Sequence, residues 1–290
     1  MIAKKILYWY DNNKRSLPWR IKCSIKQKEY NTFVSEFMLQ QTQVKTVIPY
    51  FNNFLKDIPN FQILAKIREN KLLKLWKGLG YYSRAKNLKK SAKIIIDNYN
   101  GRLPNNFEKL KKLPGIGDYT ASAILAIVFN KKIIPLDGNI ERLLKRILNL
   151  KTEDKVKKKN LHNKKKIFGQ TSRSSDYAQA LMEIGALICK PKNPYCDKCP
   201  ITKYCLSFKR KDFEIWKKDK KIIDKFFRAT LYKNNNQLLL IKNDKFKFLK
   251  NLLIFPMKEI TKADSLLKPK KKLKDKLSNM NMNISIDFSN

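Results

Sequence analysis

The sequence predicts a mainly α-helical protein that ends in a short strand-bearing region. Three observations carry this. Apolar residues recur at helical spacing from the N-terminus to about residue 210, and period-two alternation is scarce there. All eight glycines lie between Gly78 and Gly185, where turns between helices need them. From Phe226 the pattern changes to two apolar runs separated by asparagines.

The elements follow in order. Ile6, Leu7 and Tyr10 form a first helical face, and Phe33, Val34, Phe37, Met38 and Gln41 a second. Leu72, Leu73, Leu75 and Trp76 form the next, then Leu88, Ala92, Ile95 and Ile96. In LKKLPGIGDYTASAIL (110–125) a helix ends, Pro114-Gly115-Ile116-Gly117 turns tightly, and a second helix begins. Glycines there allow positive φ, and the new helix N-terminus offers unpaired amides to a phosphate. This is a helix-hairpin-helix pattern suited to sequence-independent DNA binding; the competing reading is an ordinary αα-corner. Leu143, Leu144, Ile147 and Leu148 mark a helix after Asp137. The lysine-rich stretch 151–166 reads as a solvated helix or connector, and 211–225 as a linker between a 1–210 domain and a 226–290 region. FFRATLYK and QLLLIK flank Asn234–Asn236 as a β-hairpin, followed by the apolar run LLIFP. The last thirty residues, with KPKKKLKDK and NMNMN, are low in complexity and expected to be disordered.

Composition narrows the function. Lys and Arg number 64 against 24 Asp and Glu, a formal charge of +40. Such a chain points to a polyanion, nucleic acid first, although drift in an AT-rich genome also enriches lysine. The single histidine, His162, lies in KKKNLHNKKK, which removes His-based triads and His-rich zinc sites. The longest apolar stretch, Ala121 to Phe129, is far short of a membrane span, and no secretory segment stands at the N-terminus. The expected compartment is the cytosol, where structural disulfides are rare.

Five cysteines therefore need another explanation. Cys189, Cys196, Cys199 and Cys205 lie within seventeen residues as C-x6-C-x2-C-x5-C, with prolines at 191, 194 and 200 shaping the loop. Four thiols so placed suit a metal, and the chemistry alone leaves zinc and a [4Fe-4S] cluster open. Cys23 stands apart as a free thiol.

The hairpin, Asp137 and the cysteine loop together resemble the endonuclease III superfamily of DNA glycosylases, and within it the adenine-specific branch. LPWR (17–20), SEFMLQQTQV (35–44), VIPYF (47–51), LWKGLGYYSRAKNL (75–88), LDGNI (136–140) and ALMEIGALIC (180–189) carry the resemblance over residues 5–210. It implies a helix-hairpin-helix glycosylase fold with two helical subdomains, a [4Fe-4S] cluster on the four cysteines, and duplex DNA as partner. The implied substrate is adenine mispaired with 8-oxoguanine or guanine, handled by a monomer in the bacterial cytosol.

One position separates the branches. Bifunctional glycosylase/lyases carry a lysine just after the hairpin, whose amine forms a Schiff base with the sugar. Here Tyr119 stands in that place, and a phenol forms no imine, so a monofunctional enzyme follows. Excision then needs two carboxylates, one to protonate the base and one to stabilise a cationic sugar. Glu36 shares a polar stripe with Gln40 and Gln43, by itself a solvated face; Asp137 by itself is an N-cap. The resemblance makes Glu36 the general acid and Asp137 the oxocarbenium stabiliser, held ionised at a helix N-terminus, with Tyr119 and Asn139 as partners. It also implies that Gln41 and Tyr81 interpose in the duplex, that Gly115 and Gly117 meet the backbone, and that Trp19, Arg20, Leu39 and Gln179 line the base pocket. Residues 226–290 resemble a truncated, degenerate α+β Nudix-like region without its lesion-reading loop. Two other readings compete: an endonuclease III-like glycosylase/lyase for oxidised pyrimidines, and a non-catalytic DNA-binding iron–sulfur protein.

Overall fold

The computed structural model describes residues 2–151, 158–214, 222–235, 237–250, 252–267, 269, 271–277 and 280–289. The chain divides into two compact units, Met1–Trp216 and Lys217–Asn290.

The first unit is helical. It runs α1 (Ile2–Asn13), α2 (Ile25–Leu39), α3 (Val44–Asp57), α4 (Phe61–Lys66), α5 (Glu69–Trp76), α6 (Ser83–Tyr99), α7 (Phe107–Lys111), α8 (Asp118–Ile127), α9 (Gly138–Ile147), α10 (Lys158–Lys164), α11 (Ser174–Glu183) and α12 (Leu206–Lys209). Side-chain caps start several of them. Ser24, Asn60, Asn106 and Asp137 each accept a hydrogen bond from the backbone amide three residues on.

Two hydrophobic cores form inside this unit. The larger gathers α2 through α8, with Phe33, Phe37, Phe54 and Trp76 wholly buried. Helix α2 is buried on every side from Glu29 to Met38, which makes it the axis of that core. Its one deep carboxylate before the site, Glu29, accepts from Arg102 Nε at 2.9 Å and Leu103 N at 2.8 Å. The smaller core joins the N-terminal α1 to α9, α10 and α11, through Ile6, Tyr10, Leu144 and Leu181. The predicted faces of α1, α5, α6 and α9 all point into these cores. Gln41 does not continue the α2 face, because the helix stops at Leu39. Within the lysine-rich stretch, residues 152–157 lie outside the described residues, and Lys158–Lys164 is helical as expected.

The second unit is built of strands, and among its described residues the only helical turn is Asp264–Leu266. It holds β1 (Ile223–Asn234), β2 (Gln237–Leu238), β3 (Ile241–Lys242), β4 (Leu253–Ile254), β5 (Met257–Ile260), β6 (Lys271–Leu277) and β7 (Met280–Ser289). The sheet order is β2-β1-β7-β6, with β5 also on β1 and β3-β4 as a separate pair. β1 and β7 run parallel, from Ile223 opposite Met280 to Tyr232 opposite Ser289.

Three expectations change here. The first strand begins at Ile223, so residues 223–225 leave the linker; residues 215–221 lie outside the described residues. Of QLLLIK, Gln237 and Leu238 pair back on β1 and Leu239 N donates to Tyr232 O at 3.1 Å, while Ile241–Lys242 pairs with β4. The described residues of the tail form β6 and β7 rather than a disordered segment. Its repeated Met-Asn pairs hide a strand pattern: Met280, Met282, Ile284, Ile286 and Phe288 are apolar at every second position.

Candidate active site

A cleft of about 850 Å³ opens where the two helical cores meet. Glu36 and Leu39 reach it from α2, Tyr119 from α8, Asp137 and Asn139 from the start of α9, and Gln179 from α11. Trp19, Arg20 and Gln41 line it from the connecting segments. Nine of the predicted residues thus share one cavity. Tyr81, Gly115 and Gly117 are not part of its lining.

Glu36 is 5% exposed, and its Oε2 is buried without a hydrogen-bond partner among the described residues. The polar stripe it was read from does not form one helix face: Gln40 and Gln43 lie beyond the end of α2, half-buried and exposed, while Glu36 is buried. Burial pushes its carboxyl up to about 7; the Tyr119 hydroxyl and Arg20 pull down, and the Asp137 charge pushes up further. The Tyr119 hydroxyl is driven well above the usual phenol range, by its own burial first and then by the charges of Glu36 and Asp137. It lies 3.9 Å from Met182 Sδ.

Asp137 caps α9, accepting from Ile140 N at 2.7 Å and from Asn139 Nδ2 at 2.9 Å. The helix N-terminus does pull its proton affinity down, as expected. Burial outweighs it, and the carboxyl sits above the usual aspartate range. From Asn139 a chain of bonds continues: Arg142 Nη2 donates to Asn139 Oδ1 at 2.8 Å and to Gly185 O at 2.7 Å, and Arg142 Nε donates to Cys189 O at 2.7 Å. Gly185 is obligatory at this crossing, since a Cβ there would lie 2.6 Å from Asn139 Cβ and 2.9 Å from its backbone.

The remaining pocket residues divide. Trp19 is both core and lining: it is 9% exposed and meets Phe51 edge-on, with ring centroids 5.3 Å apart. Gln179 spends its amide on Ser175 O at 3.1 Å, inside its own helix. Arg20 Nη1 donates to Glu183 Oε1, and Glu183 Oε2 accepts from Arg15 N at 3.2 Å. Glu183 is wholly buried, as no carboxylate tolerates without such partners. Sequence reading passed over Glu183, Arg15 and Arg142. A signal existed for Glu183, an acid one turn after Gln179 on an apolar helix face; Arg15 and Arg142 carry none, since basic residues are everywhere in this chain.

The hairpin forms between α7 and α8. Gly115 has φ +83°, and a Cβ there would strike Phe37 and Asn87. Gly117 has an ordinary φ, and a Cβ there would meet nothing. Gln41 and Tyr81 both adopt left-handed backbone, at φ +58° and +46°, and both are exposed.

The four cysteines surround one small cavity with Arg146, Ile188, Ile201 and Thr202. Arg146 Nη1 donates to Cys189 Sγ at 3.4 Å. Burial pushes the Cys199 thiol up to about 11. Among the described residues, no three His, Cys, Asp or Glu side chains stand close enough to share a single metal ion. The four thiols line one common space. No helix of the described residues is long and apolar enough to cross a membrane.

Two helical cores with a buried Glu36 and a half-buried Asp137 in the cleft between them, together with a Gly-turned hairpin, define a class. Residues 34–167 match the HhH-GPD superfamily of base excision DNA repair proteins. A solved thermostable thymine-DNA glycosylase is 27% identical, with a TM-score of 0.64 over 72% of this chain and 95% of that one. An endonuclease III–DNA complex, 20% identical with a TM-score of 0.57, shares the fold. More particularly, adenine DNA glycosylases of Buchnera aphidicola are 40% and 43% identical, covering 88% and 87% of this chain and 74% and 72% of theirs. The human adenine DNA glycosylase is 37% identical over 72% of this chain and 40% of its own length. The chain belongs to the adenine DNA glycosylase family.

Proposed function

We propose that this protein hydrolyses the N-glycosidic bond of adenine mispaired with 8-oxoguanine or guanine, without cutting the strand. The observation that carries the reading is the pairing of Glu36 and Asp137 from two different helical cores in one cleft, beside a tyrosine. A carboxyl held near 7 is protonated in a large share of molecules at neutral pH and can also lose its proton there, so Glu36 is suited to protonate the purine and later to activate water. Asp137, fixed by Asn139 and the α9 amides, faces the same space and stabilises the positive charge that develops on the sugar. Tyr119 and Asn139 set the orientation of the two acids. Trp19, Arg20, Leu39 and Gln179 form the base pocket, with Arg20 held by Glu183.

The base has to leave the duplex to reach this cleft. In this reading Gln41 and Tyr81 fill the gap, and the amides around Gly115 and Gly117 hold the phosphate backbone. The formal charge of +40 supplies affinity for it. Cys189, Cys196, Cys199 and Cys205 would hold a [4Fe-4S] cluster, while Arg146 and Arg142 already tie the 189–205 segment to α9 through Cys189. The four thiols carry no disulfide, in keeping with a reducing cytosol. The protein acts as a monomer.

The test is a labelled duplex with one adenine opposite 8-oxoguanine, analysed with and without alkali. Strand cleavage only after alkali is expected. Cleavage without alkali would point to lyase chemistry by Lys45, the one lysine among the described residues lining the cleft. Tight binding with no product in either lane would leave a DNA-binding protein without catalysis.

A further inference from the structure

We infer that Arg84 is a positioning residue that locks the Gln41 and Tyr81 loops into one rigid wedge. The inference rests on the reading of those two side chains as the elements that enter the duplex.

Arg84 stands in the first turn of α6 and is 6% exposed. It makes no ion pair among the described residues. Its charge is met by five backbone carbonyls instead. Nη1 donates to Phe37 O at 3.2 Å, Met38 O at 2.8 Å and Gln40 O. Nη2 donates to Leu79 O at 2.8 Å and Gly80 O at 3.2 Å. One nitrogen therefore closes the carboxyl end of α2, where the last carbonyls of a helix lack partners. The other holds the turn after α5.

The loop after α2 enters left-handed backbone at Gln41, and the loop after α5, already at positive φ at Gly78 and Gly80, continues it at Tyr81; neither Gln41 nor Tyr81 is glycine. Such backbone is costly and persists only where neighbours over-determine it. Here the carbonyl of the preceding residue, Gln40 or Gly80, is the one bound. The guanidinium also lies 5.6 Å from the centroids of both the Trp76 and Tyr81 rings, so it supports the exposed Tyr81 from beneath. Further bonds tighten the same rim. Trp76 Nε1 donates to Gly80 O at 3.2 Å, and Tyr50 Oη to Lys77 O at 3.0 Å. Gln40 Nε2 donates to Gly115 O at 3.1 Å, which ties the hairpin to the same clamp.

A planar guanidinium spans both loops at once, whereas an ammonium satisfies one and releases the other. The experiment uses full-length Arg84→Lys and a duplex with 2-aminopurine at the target position, whose fluorescence reports unstacking. The unstacking amplitude should collapse, and single-turnover adenine excision should fall about a hundredfold, as misplacement of a distant support commonly costs. Low-salt duplex affinity and Tm should stay near wild type. The rate should recover when the target adenine lies opposite an abasic spacer, where there is no pairing to break and no orphaned base to support. Wild-type unstacking in Arg84→Lys, or a loss of equal size on the spacer duplex, would overturn the proposal. If Arg84→Lys does not fold, Gln41→Ala and Tyr81→Ala test it without Arg84. A single wedge predicts that the double variant loses clearly less than the product of the single losses, and independent multiplicative losses overturn it. A wild-type protein that unstacks the probe but excises no adenine would sink the glycosylase reading and leave the clamp standing; no unstacking at all sinks the clamp.

Discussion

The helical unit and the strand unit solve the burial problem to very different depths. In the first, Phe33, Phe54, Trp76 and Phe168 are sealed from solvent in two cores. Several of its buried charges have assigned partners: Glu29 with Arg102, Glu183 with Arg20, Arg84 through its two terminal nitrogens with five carbonyls, while Glu36 Oε2 in the cleft has none among the described residues. In the second, the sealed apolar side chains are Phe227, Ala229 and Met282, and Phe227 leans on Phe246 and Phe248 at 5.5 and 5.4 Å. Its edge strand β6 is exposed at every position, with lysines that discourage pairing with other chains. The difference teaches where precise chemistry can reside. A carboxyl held near 7 needs a site that excludes water and does not yield, and among the described residues the helical unit offers one.

That contrast can be broken most sharply at Glu36. Glu36→Gln is expected to lower single-turnover excision by about 10²–10⁴-fold, the usual worth of a general acid, with duplex binding retained. Excision at the wild-type rate would reject the acid assignment. Gly185→Ala comes next. The added Cβ has no space beside the Asn139 backbone, so Asp137 shifts and excision should fall about a hundredfold. A variant with unchanged rate would show that the crossing can relax.

The cores themselves should differ in what their loss costs. Phe54→Ala should destabilise the helical unit by about 3–5 kcal/mol and reduce excision with it. Phe227→Ala should lower only the transition of the strand unit, leaving excision of adenine opposite guanine near wild type. Calorimetry with two separable transitions would support this, and parallel loss of both would refute it.

The pH dependence is smaller and has a defined sign. Glu36 must be protonated to act, so kcat/KM should decline as pH rises through about 7. The same raised carboxyl binds a proton more tightly folded than unfolded. Its contribution to stability is therefore full below the ordinary glutamate range and is lost as pH rises through about 7, by up to about 3 kcal/mol. Glu36→Gln should accordingly raise Tm more at pH 8 than at pH 5; equal shifts at both would contradict it. Least of all, Leu273→Ala on the exposed β6 should change stability by about 0.5 kcal/mol or less.

Much of this was legible because local physics and tertiary role agree. The helical faces, the hairpin and the Asp137 cap are short-range patterns, and periodicity or a single side chain suffices to mark them. The strand tail was missed for the opposite reason: Asn and Met dominate NMNMN, and composition masked an alternation that only pairing with β1 and β6 makes visible.

The sequence by itself determined the helical class and the quartet of thiols. Those depend on residue type and spacing along one segment. Tertiary structure alone decided that Glu36 is buried rather than solvated, that burial outweighs the helix end at Asp137, and that Arg84 reaches two loops at once. Each of these turns on what lies across space from a side chain, since desolvation and hydrogen-bond geometry are set by neighbours that the order of residues does not name.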